Sequence, residues 1–158
     1  MRIRAREEAD VEAVELFLAD HGSLRVARLV RLERTLDHPA LLAENESGEL
    51  AGVLTYVASG EECEILTLHA ARQWAGTGTA LVEALQVLAG EQHWGRLWVQ
   101  TTNDNVDALR FYQRRGFRLV ELRPGAVDAA REVLKPEIPR AGAYGIPLRD
   151  ELVLEMRL

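Results

Sequence analysis

Residues 71–85 read ARQWAGTGTALVEAL. From Ala80 onward the stretch is an amphipathic helix, because Ala80, Leu81, Ala84, Leu85 and Leu88 recur at three- and four-residue spacing and make one apolar stripe. Gly76 and Gly78 stand at its start. The first N–H groups of a helix have no partner within it and carry partial positive charge, so that end is a natural anion site. Glycines there let a phosphate approach the backbone, although tight helix packing alone also calls for them. The flanking residues separate the kinds of phosphate loop. A P-loop needs a lysine and a hydroxyl directly after its last glycine. Here Thr79 and Ala80 follow, and the only lysine of the chain is Lys135. A dinucleotide fingerprint needs a third glycine where Leu81 stands, and the strand that follows lacks the acidic residue that would bind a ribose. Two readings stay open: a pyrophosphate loop with a glutamine lead-in, Gln73-Trp74-Ala75-Gly76-Thr77-Gly78, and a helix start whose glycines serve tight packing alone.

Working outward, residues 62–69 form a strand into this loop, and residues 40–58 form a hairpin about the polar turn 46–49. Gly90 marks the C-terminal cap of the glycine-led helix. Residues 95–102 are a strand and 105–116 a short helix, with Asn103 or Asn105 as cap and Gly116 as stop. A strand over 117–123 leads into a connector that contains Pro124, Pro136, Pro139 and Pro147 and a short helix near 127–134. Residues 151–158 are the last strand. Towards the N-terminus, a strand at 3–6 precedes a helix capped by Asp10, with Val11, Val14 and Leu18 inward and His21-Gly22 as its end. The spacing of Leu29, Leu32 and Leu36 predicts a second helix over 23–36, with arginines on its other face, stopped by Pro39. The order β-α-α-β-β-β-α-β-α-β-β gives an α+β class with one central sheet, and 158 residues fit one domain, 1–158.

Composition narrows the function. At 47% hydrophobic and 28% charged the chain is an ordinary globular one, with no apolar run of membrane-spanning length and no signal-peptide core at its N-terminus. We therefore expect a cytoplasmic protein that does not engage a membrane. A net charge of −6 argues against a nucleic-acid partner and suits an amine-bearing one. One cysteine, Cys63, excludes an internal disulfide, and no metal-ligand spacing is visible.

A second motif lies at residues 103–117, NDNVDALRFYQRRGF. Asn105, Ala108 and Tyr112 are at i, i+3 and i+7 and share a helix face, and Gly116-Phe117 opens the next strand. The pair of motifs, each after a strand and opening a helix, resembles the two cofactor motifs of the GNAT superfamily of N-acetyltransferases, and the resemblance runs over most of the chain. It implies the acyl-CoA N-acyltransferase fold, a single mixed and mostly antiparallel sheet flanked by helices. It implies acetyl-CoA as co-substrate, no metal, and transfer of the acetyl group to a small-molecule or peptide amine by direct attack. Residue by residue, the strands before the two motifs would splay, and the backbone of Leu68 and His69 would pair with pantetheine and offer an N–H to the oxyanion. Backbone N–H groups over Gln73, Trp74, Ala75, Gly76, Thr77, Gly78 and Thr79 would hold the pyrophosphate. Asn105 would bond the pantetheine arm, and Tyr112 would protonate the departing thiolate. The alternative of the same fold is a non-catalytic CoA-binding regulatory module, which has no need of an acid beside the sulfur.

Attack needs an unprotonated amine. Glu62 and Glu64 share parity on their strand and are the candidate bases, with a water relay as rival. On the same alternation Cys63 faces the other way as a core thiol. His69 is read as a loop-edge residue, and Trp74, Trp94 and Trp98 as packing residues. The connector over 123–147, outside both motifs, is expected to shape the acceptor pocket rather than the CoA site. The final strand is compatible with a homodimer as well as a monomer.

Overall fold

The computed structural model describes residues 1–28 and 31–158. They fall into two compact units, one of residues 1–26, 34–97 and 158, the other of 27–33 and 98–157.

In the first unit, β1 (Arg2–Ala5) opens the chain and α1 (Val11–Asp20) follows a single 3-10 turn. Asp10 does not cap α1 through its side chain. Its carboxylate is held by Arg4 at 2.6 Å and accepts from the Glu7 N–H at 2.7 Å, so it caps the preceding 3-10 turn instead. The Arg4 guanidinium holds that carboxyl down to about 2.

The helix expected over 23–36 is not formed. Residues there make two short strands, β2 (Arg25–Arg28) and β3 (Arg31–Arg34), paired as a two-stranded sheet, and a 3-10 turn at Thr35–Asp37. Leu29 of the expected stripe lies outside the described residues. The reason is long-range. Buried Thr35 donates its hydroxyl to the Ser23 and Leu24 carbonyls at 2.7 and 2.9 Å, and its N–H bonds the Leu24 carbonyl at 3.1 Å. A helix would set residues 24 and 35 about 16 Å apart. The excursion instead returns on itself, and Leu24 and Leu36 both pack on the core cluster of Val14, Leu18, Ala40, Leu42 and Val53.

Three longer strands complete the sheet of this unit: β4 (Ala40–Glu44), β5 (Leu50–Ser59) and β6 (Glu62–Ala70). They lie in the order β1-β4-β5-β6, each pair antiparallel. Register partners share a face of the sheet. Leu42 pairs with Val53 and Val53 with His69, and this row faces α1, because Leu42 and Val53 belong to the α1 cluster. Leu41, Leu54 and Leu68 form the neighbouring row on the opposite face. There α2 (Thr77–Gln92) packs on β4, β5 and β6 through Leu81, Val82 and Leu85. Full burial of each such leucine is worth roughly 1.5–3 kcal/mol. Gly90 is inside α2 rather than its cap. The helix runs two residues further, and His93 takes the left-handed conformation there (φ 60°).

In the second unit, β9 (Glu151–Arg157) lies between β7 (Arg96–Thr102) and β8 (Arg118–Arg123), antiparallel to β8. The helices are α3 (Val106–Arg114) and, in the connector, α4 (Ala126–Val133). The connector is not a loose loop. Asn103 donates to the Pro147 carbonyl at 2.8 Å and accepts the N–H groups of Arg149 and Asp150, both at 3.0 Å. Buried Asp104 accepts from Thr102 and from the Ala143 N–H at 2.8 Å, and Tyr144 donates to Asp107 at 2.8 Å. Gly142 makes this latch possible, since a Cβ there would stand 2.6 Å from the Asp104 carboxyl carbon. Gly142→Ala is therefore expected to destabilise the protein by about 1–3 kcal/mol, the usual penalty of overpacking. Thermal unfolding would register a loss of about 2–4 °C per kcal/mol; an unchanged midpoint would mean that Asp104 moves aside without cost.

Candidate active site

The glycine-led loop and α2 sit in the first unit. Gly76 takes a left-handed conformation (φ 84°), open to glycine without strain, and stands at the N-cap of α2 with no side chain to fill it. The first intrahelical bond runs from the Ala80 N–H to the Gly76 carbonyl at 3.0 Å. The N–H groups of Thr77 and Gly78 precede it and point off the helix end, the arrangement that receives an anion. Gln73, Trp74 and Ala75 are exposed. Trp74, read from the sequence as a packing residue, is 70% exposed and left-handed (φ 64°). Trp94, by contrast, packs against Tyr56, with ring centroids 6.0 Å apart.

A residue that the sequence reading passed over sets this loop in place. A Cβ on Gly52 of β5 would stand 2.6 Å from Thr77 Cγ2, 3.0 Å from the His69 carbonyl oxygen and 3.1 Å from Leu81 Cδ1. Its missing side chain lets the first turn of α2 lie directly on the sheet beside the end of β6. A glycine in mid-strand is a recognised sign of such close approach, so the signal was present in the sequence.

β6 carries the other first-unit residues. Thr55 pairs with Thr67 but Tyr56 with Ile65, so Leu66 is an extra residue on β6, a β-bulge. Glu62 and Glu64, opposite Ser59 and Val57, lie on the α1 face. Past the bulge the parity changes, and Thr67 and His69 join them there. Regular alternation would have placed His69 on the opposite face. Glu62 is exposed and 3.3 Å from Arg96, whereas Glu64 is buried. Cys63 is fully buried, and burial pushes its thiol up to about 12. His69 Nε2 lies 2.7 Å from Ser23 Oγ, and its ring stacks on His21 at 4.8 Å. Burial, and secondarily His21, lowers the His69 imidazole to about 4.

The second motif lies in the second unit. Asn105 is the N-cap of α3, its side-chain oxygen accepting the Ala108 N–H at 3.1 Å, which leaves its NH2 group to offer a ligand. Tyr112 is buried, its ring edge-on to Phe111 and Phe117 at 5.0 and 5.3 Å. Gly116 (φ 93°) ends the helix, and the Phe117 N–H returns to the Tyr112 carbonyl at 3.1 Å. Burial pushes the Tyr112 phenol well above its ordinary range, so it holds its proton at neutral pH. The connector, outside both motifs in sequence, is fastened to Asn103, Asp104 and Asp107 on either side of Asn105. Among the described residues no three His, Cys, Asp or Glu side chains gather as a metal site.

Comparison with known proteins gives the family and the fold. The model of the acetyltransferase (GNAT) family matches residues 7–117. The protein YdhI of Bacillus subtilis (strain 168) is 41% identical over 138 residues, which are 87% of this chain and 86% of that one. A Bacillus subtilis acetyltransferase solved in complex with CoA superposes with a TM-score of 0.73 at 20% identity, over 99% of this chain and 98% of that one. A GNAT family acetyltransferase from Elizabethkingia anophelis with acetyl-CoA bound gives 0.71 at 18% identity, over 99% and 97%. These likenesses give the fold, a mixed sheet with flanking helices of the acyl-CoA N-acyltransferase type. With the family model matching more than half its length and a relative at 41% identity along nearly all of it, the chain belongs to the GNAT acetyltransferase family.

Proposed function

We propose that this protein transfers the acetyl group of acetyl-CoA to a small-molecule or peptide amine, with residues 1–158 acting as one acetyltransferase domain in the cytoplasm. The observation that carries the reading is the N-terminus of α2. It is capped by a left-handed glycine, bears no capping side chain, and is seated on β5 where Gly52 leaves room. That end holds an anion through the Thr77 and Gly78 N–H groups, and the loop from Gln73 to Thr79 holds the pyrophosphate. The Leu68 and His69 backbone receives the pantetheine arm and the oxyanion, and the Asn105 amide donates to pantetheine. Tyr112, protonated at neutral pH, gives its proton to the thiolate as the C–S bond breaks. Glu62 is held by Arg96 and exposed. Both carboxylates, Glu62 and Glu64, lie on the α1 face and are the candidates for drawing in a cationic amine. No residue in this scheme calls for a metal. The net charge of −6 favours a cationic acceptor over a nucleic acid.

The test is thiol release from acetyl-CoA across a panel of amines, with and without a chelator. At least one amine is expected to be acetylated, at a rate the chelator leaves unchanged. Firm binding of CoA with no thiol released by any amine would point to a binding module instead.

A further inference from the structure

Within the proposed acetyl-transfer reading, we infer that Ser23 and His69 form the proton relay that deprotonates the acceptor amine. Three observations converge on the pair. The β-bulge at Leu66 turns His69 onto the α1 face that Glu64 and Thr67 share, at the very strand end whose backbone is assigned to the thioester. The Ser23 hydroxyl lies 2.7 Å from His69 Nε2, a distance at which a proton passes between them. Ser23 is held in place through its backbone, for its N–H bonds the Leu18 carbonyl at 2.8 Å and its carbonyl accepts from buried Thr35 at 2.7 Å. The pair is reachable. Ser23 and His69 are half-buried, and His21, stacked between Phe17 and His69, is exposed at the rim.

Among the described residues, His21 and Ser23 after α1 lie against the His69 ring and Val53 is its register partner on β5, while Thr67 and Glu64 share its sheet face further back along β6. The imidazole is neutral at neutral pH. It neither repels a cationic acceptor nor carries the proton it is meant to receive. The acceptor attacks as its neutral amine: the nitrogen lone pair forms a C–N bond to the thioester carbon while the carbonyl pair moves to oxygen, to return as the C–S bond breaks. The amine proton passes to Ser23 Oγ while the Ser23 hydroxyl proton moves to His69 Nε2. The C–S bond breaks, the electron pair leaves on sulfur, and Tyr112 protonates the thiolate. Solvent then takes the proton from His69 and restores that of Tyr112, so the net reaction is amine plus thioester to amide plus thiol.

The test measures thiol release with primary alkylamines of graded basicity, and with water as the acceptor, in the parent, Ser23→Ala, Ser23→Thr and His69→Gln. CoA-induced thermal stabilisation is measured on each protein. Ser23→Ala and His69→Gln are expected to lower kcat about 10²-fold with the most basic amine, the lower range for general-base catalysis, and less with weakly basic ones. Ser23→Thr, which keeps the hydroxyl, is expected to retain activity within a few-fold. His69→Gln keeps a hydrogen-bonding group but cannot take up a proton, so it separates proton transfer from packing. The CoA shift is expected to persist throughout. Activity within threefold of the parent in both Ser23→Ala and His69→Gln overturns the relay and leaves the cofactor reading intact. Loss of the CoA shift in Ser23→Ala overturns it too, by making the pair part of the cofactor scaffold. A parent that shows no CoA shift fails the acetyl-CoA reading itself. A parent that binds CoA and releases no thiol to water or any amine removes both catalysis and the relay.

Discussion

Tyr112→Phe is expected to lower kcat and kcat/KM together by about 10²- to 10⁴-fold, the range for a proton donor that acts only in the transition state. The substitution removes one oxygen and nothing else. The ring keeps its edge-on contacts with Phe111 and Phe117, and the end of α3 keeps its Gly116 turn. Folding is not expected to suffer, since the Tyr112 hydroxyl makes no hydrogen bond among the described residues. The dissociation constant for acetyl-CoA should therefore stay within a few-fold of the parent value. Near-normal kcat would return Tyr112 to a packing role. A large rise in the acetyl-CoA dissociation constant with kcat preserved would make its hydroxyl a binding group.

Gly52→Val should cost both stability and cofactor. A Cβ at this position meets a flexible methyl on Thr77 but also the His69 carbonyl oxygen, which is backbone and cannot turn away. Something must shift, and what shifts is the spacing between the end of β6 and the first turn of α2. Overpacking of this kind costs about 1–3 kcal/mol, and occasionally more. CoA-dependent stabilisation should fall much further than the apoprotein, because the Thr77 and Gly78 N–H groups move with the helix start. Gly52→Ala combined with Thr77→Ser removes the methyl at 2.6 Å and should recover part of the loss over Gly52→Ala alone. Calorimetry of the four proteins with and without CoA measures both effects. Full CoA stabilisation in Gly52→Val would show that the close approach has no part in the site.

The parts of the fold that were legible in the sequence are those governed by local rules. The glycine pair before a periodic apolar stripe marked the start of α2, and Gly116 marked the end of α3, whose start was narrowed to Asn103 or Asn105 and is capped by Asn105. What escaped was set by contacts across the chain. Thr35 closes residues 23–36 into two strands by bonding Ser23 and Leu24, and no local pattern announces that closure. Asp10 makes a good cap by type, yet Arg4 and Glu7 claim its carboxylate. The bulge at Leu66 is one inserted residue in an apolar run, so alternation carried past it gives His69 the wrong face. The candidate site divides in the same way. Its anion-binding loop and its tyrosine stand in motifs, whereas the Ser23–His69 pair joins residues 46 positions apart and needs the fold to be seen.

The central claim is that the end of α2 and the loop before it hold the pyrophosphate of CoA. Isothermal titration of the parent protein with CoA tests it most directly, beside the same titration of Gly76→Val. The claim predicts one CoA bound per chain and a melting temperature that rises with CoA concentration as ligand binding to the native state requires. It predicts that Gly76→Val stays folded but loses that binding, because a β-branched residue resists the left-handed conformation at the N-cap. Absence of binding heat and of any thermal shift in the parent at saturating CoA would contradict it.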